Sequence, residues 1–338
     1  MWNNLDTKCG GTSAVQIASF VGFGLSLVLF CITTPLTLSI VYGLMKSRQH
    51  LLTRNYFLVI FNITIADAMM ALMVDPMSVV FHIKEGLGAS IVDLHPSEQT
   101  VMHFVFFFTN IVAVLSMAVL AVDRLGVILS PFSYYRNMSR FRIKIILLCT
   151  WVVAMGITIV YFFIGYIRFL VVFSFSTVAL TLTLMIVTMV LLRRRLSVAK
   201  AYEMQRRDSR ASVMRRESTL QQQQQHHQRR RTETVVEFTL ADQRITTTFL
   251  WMLVLFVMNY VPCVLLVLYM NICEECNCDF VHIMRDIIWF MILASPLCRA
   301  LNFLVRLDTL RETVRNSCFC RSENRRDSLS EYQLNDVS

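Results

Sequence analysis

Charged residues stand inside the most apolar parts of this 338-residue chain: Asp67 in Asn62-Ile-Thr-Ile-Ala-Asp67, Asp123 and Arg124 in Ala121-Val-Asp-Arg-Leu125, and Arg299. A carboxylate or guanidinium within a membrane-crossing helix costs at least ~2.5–3.5 kcal/mol on insertion scales, so it usually pairs with an opposite charge or faces an internal cavity. The chemistry on offer is therefore buried ion pairing and exchange of partners. No paired carboxylates, His/Cys/Asp constellation or phosphate loop stands at the end of an apolar stretch, so an enzyme and a protein-held cofactor are not expected.

Cysteines offer a second chemistry, and position separates their roles. Cys31, Cys149, Cys263 and Cys298 fall within apolar stretches and read as packing residues. Cys273, Cys276 and Cys278 crowd one short loop that, with Cys9, is expected outside the cell, where disulfides form. A tether from Cys9 to that loop is the favoured reading; a metal site there is weaker, because it lacks a clear fourth ligand other than Cys9. Cys318 and Cys320 follow the amphipathic stretch Arg306–Arg315 and are candidates for palmitoylation.

The elements that must hold these residues are seven apolar stretches, roughly 14–45, 56–82, 100–130, 143–166, 169–192, 246–271 and 281–305. Each is long enough for the ~20 residues that a helix needs to cross ~30 Å of hydrocarbon. From Ile143 to Leu192 the chain is apolar except around Tyr166 and Arg168, and at ~1.5 Å per residue one helix of that length would measure about 75 Å. Basic segments at both of its ends predict two helices that turn outside near Gly165–Arg168. With seven crossings, 26 of the 32 Lys and Arg residues fall on one face, while Lys8, Lys84, Arg168 and Arg285 fall on the other. Orientation follows from that asymmetry: a multi-pass plasma-membrane protein with its amino terminus outside. Met1–Ser13 is polar and the first apolar run exceeds a signal-peptide core, so it is expected to remain as the first span.

The net charge of +9 has the same topological meaning, since the excess is spread over inner loops where anionic lipid is the natural partner. Nucleic acid is not expected. Residues 196–243 contain Arg-rich patches, Gln221–Gln225 and the pair His226–His227, with almost no apolar clusters, and are expected to be mostly disordered. The histidine pair lacks metal-site spacing. Ser209, Ser218, Thr232 and Ser328 each follow basic residues, as substrates of basophilic kinases do. The expected organisation is an extracellular segment 1–13, a membrane domain 14–306 and an intracellular helix and tail 307–338.

At its polar span residues the chain resembles the rhodopsin-like, or class A, G-protein-coupled receptors. Asn62–Asp67 looks like the family's N-L-A-x-A-D, and Asp123-Arg124-Leu125 like D-R-Y with leucine for tyrosine. Ser130-Pro131 and Tyr134 follow at the family's loop spacing, Trp151 matches the fourth-span tryptophan, and Pro262 the proline that bends the sixth. The resemblance implies an all-α seven-transmembrane helix bundle, with a short amphipathic surface helix at Leu310-Arg311 after the seventh span. It implies coupling to heterotrimeric G proteins through Arg124, with arrestin and receptor kinases as further cytosolic partners. Asp123 is the acidic neighbour of Arg124. Asp242, twenty residues before Pro262, stands where the family often has an acidic latch; it reads equally as an ordinary helix-start carboxylate favoured by the helix dipole.

Departures from the family pattern carry their own expectations. The sixth span has Asn259-Tyr260-Val261-Pro262 in place of C-W-x-P. The seventh-span N-P-x-x-Y aligns with Arg299-Ala-Leu-Asn-Phe303, which keeps the spacing to Leu310, or else with Ser295-Pro-Leu-Cys-Arg299. The former register puts Arg299 near Asp67, where many family members bind sodium, and predicts that the guanidinium replaces the ion. Gln99 stands at the place of the third-span cysteine, so the family's usual outer disulfide is absent.

Phe106 occupies the position that carries an aspartate in amine receptors. His103, Phe106, Asn110, Tyr260, Arg285, Asp286 and Trp289 are the candidate pocket residues, an aromatic set with a polar rim that suits an apolar or weakly polar extracellular ligand. The seventh span has no lysine, which excludes retinal bound as a Schiff base. Two other classes stay open. One is a receptor-like membrane protein that has lost coupling and serves as a partner or trafficking subunit. A transporter is less favoured, since internal repeats are lacking.

Overall fold

The computed structural model describes residues 13–46, 52, 55–87, 96–129, 134, 136–164, 169–214, 248, 251–270, 272 and 277–318. Helices dominate them: α1 (Ser13–Lys46), α2 (Asn55–Gly86), α3 (Pro96–Leu129), α4 (Arg140–Ile164), α5 (Leu170–Ser174 continuing through Phe175–Met214), α6 (Trp251–Met270), α7 (Cys278–Arg306) and α8 (Asp308–Cys318). Among the described residues six of these, α1–α4, α6 and α7, are long and apolar enough to cross a membrane, while the apolar part of α5, Val178–Leu191, is shorter.

The bundle has its apolar side chains outside as well as inside. On α1 the exposed residues are large and apolar, Ile17, Phe20, Val21, Leu25, Val28 and Ile32 among them. Its buried face is mostly small or polar, with Ser19, Gly22, Ser26, Thr33, Thr37 and Gly43 beside Val15, Ile40 and Leu44. Small residues at the contact let backbones approach closely where lipid removes the hydrophobic drive between helices. Ser26 bonds Ser78 of α2 at 2.9 Å. At Gly43 an added Cβ would meet Val314 Cγ2 of α8 at 2.9 Å, so α8 lies directly on α1.

A wide π-helical turn, Met70–Val74, interrupts α2, and the Asp75 N–H reaches back five residues to the Met70 carbonyl. The cause follows one residue later. Pro76 has no N–H, and its ring would press on the carbonyl four residues before it, so a widened turn relieves the ladder. After that turn Asp75, Ser78, His82 and Glu85 share the buried face at three- and four-residue spacing.

Two apolar clusters fill the bundle. One gathers Ile40, Tyr56, Ile63, Met117, Leu120, Phe256, Phe303 and Leu310; the other gathers Met70, Phe106, Phe107, Phe169, Trp289 and Leu293. Differences from expectation lie at the edges. Helix α5 runs on to Met214, so residues 196–214 are helical where the composition predicts disorder. A helix already nucleated in the apolar stretch propagates cheaply through the Ala, Lys, Met, Gln and Arg residues there, and needs no core to do so. Cys31 and Cys149 are exposed on the bundle surface rather than packed inside; Cys263 is buried. A thiol is apolar enough for either place.

Candidate functional site

Asp67 and Arg299 form a bidentate pair in the centre of the bundle. Arg299 Nη2 is 2.6 Å from Asp67 Oδ1 and Nε is 3.1 Å from Oδ2. Both side chains are buried, and burial makes the pairing obligatory, since either charge alone would lose its hydration without replacement. Arg299 Nη1 donates to Ser295 and, at 3.3 Å, to the Tyr260 hydroxyl. The Tyr260 hydroxyl in turn donates to Asn110 Oδ1 at 2.7 Å. One polar chain therefore runs from α3 through α6 and α7 to α2. Tyr260 is held flat against Phe256, ring centroids 4.7 Å apart, which fixes where its hydroxyl points.

At one end of α3, Arg124 Nη2 lies 2.8 Å from Asp123 Oδ2, and its guanidinium sits 5.1 Å from the Tyr56 ring centre. Tyr134, in the segment after α3, donates its hydroxyl to Asp123 Oδ1. Burial first, and then the Asp123 carboxylate, hold the Tyr134 hydroxyl above the ordinary tyrosine range, so it remains a donor at neutral pH. Gly126 makes room for this contact: a Cβ there would meet the Tyr134 ring at 2.7 Å. A third junction ties α4 to α2 and α3. Trp151 Nε1 donates to Asn62 Oδ1 at 2.9 Å, and Asn62 Nδ2 donates to Ser116 Oγ at 2.8 Å. Phe303 is fully buried, and Pro262 lies inside α6 near Tyr260 in sequence.

A family model described as "7 transmembrane receptor (rhodopsin family)" matches residues 36–298, most of the chain. The chain belongs to the rhodopsin family of seven-transmembrane receptors. It is a multi-pass membrane protein of that family, and a search of the curated proteins finds no match.

The seven pocket residues chosen from sequence divide into three groups in this receptor. Asn110 and Tyr260 line a small cavity of about 40 Å³, closed otherwise by apolar residues such as Phe107, Phe169, Cys263 and Ile292. His103, Phe106 and Trp289 lie outside that lining. Phe106 stacks flat on Trp289 at 4.4 Å, and His103 meets the Trp289 ring edge-on at 6.3 Å, so these rings fill the space between α3 and α7 themselves. Trp289 Nε1 is satisfied by Ser78 Oγ at 2.8 Å. Arg285 and Asp286 join a third group, described next.

Glu85 takes two hydrogen bonds from Arg285 Nη2, at 2.8 and 3.0 Å, and one from Ser19 at 2.9 Å. His82 and His282 stand beside the same carboxylate. Sequence reasoning missed Glu85, His82, His282 and the buried Asp75. A signal was available, because Asp75, Ser78, His82 and Glu85 repeat at helical spacing; ending the second span near 82, where the apolar run stops, hid it. Several sequence-based sites lie outside the described residues: Asp242, Cys9, Cys273, Cys276, Cys320, Ser218, Thr232 and Ser328. For Ser209, Cys278 and Cys318 only the helical backbone is described.

Proposed function

We propose that this receptor passes a signal from an extracellular apolar or weakly polar ligand to heterotrimeric G proteins at the plasma membrane, with its amino terminus outside and α5 completing seven spans. The observation that carries the reading is the retained Asp123–Arg124 pair at 2.8 Å, partly buried at the end of α3, with Tyr134 on the same carboxylate. Arg124 is the residue that would meet the G protein once Asp123 and Tyr134 release it. Ligand chemistry is supported by the cavity, whose lining is apolar except for Asn110 and Tyr260. The hydrogen bonds from Asn110 through Tyr260 to Arg299 give a ligand in that cavity a route to the buried Asp67 pair. In this reading Arg299 serves in place of a sodium ion, and α8 lies along the inner membrane surface with its apolar side on α1.

The test is basal activation across the main G-protein classes, for the intact chain and an Arg124→Ala variant matched for surface level. Signal lost in the variant supports coupling through Arg124. Signal equal in both counts against it. Silence in both calls for grafting the inner loops onto a receptor with a known agonist; a graft that stays silent under that agonist defeats the coupling reading.

A further inference from the structure

At the end of the bundle opposite Arg124, helices α2 and α7 bring together two carboxylates, two imidazoles and one guanidinium beside α1. Arg285 Nη2 lies 2.8 and 3.0 Å from the two Glu85 oxygens and 2.9 Å from Asp286 Oδ1, so three carboxylate oxygens surround one cationic atom. His82 Nδ1 is 3.8 Å from Glu85 Oε2, and His282 Nδ1 is 3.6 Å from Glu85 Oε1. His82, Glu85 and Asp286 each present a ligand atom within 4.8 Å of the others.

Two features of the cluster go beyond an ion pair. His82 is 1% exposed, and among the described residues neither of its ring nitrogens has a hydrogen-bond partner. Leaving a buried imidazole unpaired at both nitrogens is costly, yet the bundle is shaped to keep the ring there. It stacks on Phe290 at 5.2 Å, and α1 carries Gly22 where a Cβ would come within 2.9 Å of His82 Nδ1. The second feature is charge. Glu85 and Asp286 are both buried against a single guanidinium, with the His282 imidazole 3.6 Å from Glu85.

The geometry points to a Zn²⁺ site built from His82 Nδ1, Glu85 and Asp286; His282, 3.6 Å from the other Glu85 oxygen, stands outside that set of three. In a tetrahedral zinc site the bonds are ~2.0–2.2 Å, which sets neighbouring ligand atoms ~3.3–3.6 Å apart. The His82–Glu85 separation of 3.8 Å needs a few tenths of an ångström of closure, and the separations to Asp286, within 4.8 Å, need at most about an ångström, within reach of side-chain rotation. Zinc takes the place that Arg285 Nη2 holds, and its two charges cancel the two carboxylates where the guanidinium cancels one. Arg285 can leave without being stranded, because its side chain is 23% exposed and already lies 5.3 Å from the face of Phe81. Imidazole in the donor set selects zinc over calcium or magnesium. With the amino terminus outside, as proposed above, the site opens to the extracellular medium; binding itself does not depend on that orientation or on coupling.

The full chain in lipid nanodiscs is titrated with Zn²⁺ alone and, for its spectrum, with Co²⁺. One ion per chain is expected, with the intense visible band of four-coordinate cobalt and no near-ultraviolet sulfur-to-metal band. His82→Ala, which removes a direct ligand, should weaken binding by at least the ~10–100-fold that loss of an outer partner costs. Arg285→Gln, which removes the competing cation, should tighten binding by about tenfold, a gain that misfolding cannot produce. Melting curves without metal separate lost ligation from lost fold in each variant. Absence of binding, a sulfur band that puts the ion on cysteines, or unchanged affinity in both variants overturns the site.

Discussion

The Tyr260 hydroxyl donates to Asn110 Oδ1 at 2.7 Å while it accepts from Arg299 Nη1 at 3.3 Å, so a residue of the cavity wall and the central ion pair share one side chain. Tyr260→Phe keeps the stacked ring on Phe256 and removes these two bonds and the contact with Ser295. Leaving Asn110 and Arg299 each short of a partner is expected to cost about 1–3 kcal/mol of stability. Basal G-protein activation should change while surface expression persists, and activation at matched surface level checks it.

Separating Asp67 from Arg299 has a larger cost. Arg299→Met leaves the buried carboxylate without its partner, which typically costs ~3–5 kcal/mol, whereas the double change Asp67→Asn with Arg299→Met removes both charges and should recover much of that loss. Melting temperatures of the two variants in detergent decide it: a double variant no more stable than Arg299→Met would rule out the ion pair as the source.

Sodium is a separate probe of the same place. Because a guanidinium already sits on Asp67, ligand-independent activity of the wild type should be the same in sodium and in a bulky organic cation at equal ionic strength. Arg299→Asn opens the position to the ion, and sodium dependence should appear in that variant. A sodium-dependent wild type refutes the replacement.

At the Arg124 end, Tyr134→Phe deletes the bond to Asp123 Oδ1, and Gly126→Ala forces the Tyr134 ring away from the same carboxylate. Both should loosen the hold on Arg124 and raise basal activation, the two variants agreeing in direction. Opposite effects in a G-protein activation assay would mean that Tyr134 does not restrain Arg124.

Gly43→Leu inserts a side chain where even a Cβ meets Val314 at 2.9 Å. Helix α8 should lift from α1, and backbone amide exchange over Asp308–Cys318 should accelerate while that of α3 is unchanged. Unaltered exchange in α8 would show that its seat on α1 is not held at Gly43.

Opposite charges in two apolar stretches made the Asp67–Arg299 contact legible before any coordinates, because membrane burial leaves an ion few alternatives to pairing. Asp123-Arg124 was legible for the same reason; the turn expected near Gly165–Arg168 lies outside the described residues. Local pattern could not reach Glu85: its partner Arg285 is 200 residues away in sequence, and apolarity fades just before it. Sequence marks Phe106 and Trp289 as aromatic but is silent on their stacking against each other. Composition misjudged residues 196–214, because a disorder-like makeup does not stop a helix that enters already formed.

Arg299 also makes the counter-ion of Asp67 a covalent part of the chain. A diffusible cation occupies its site in proportion to its activity in the medium, but a tethered one is present at a fixed effective concentration, whatever the salt outside. Exchange at Asp67 is then paced by rotation of one arginine side chain instead of by entry of an ion from bulk water. In the proposed reading the resting balance is then set by stoichiometry within the polypeptide, and a change of residue, not of ionic medium, would reset it.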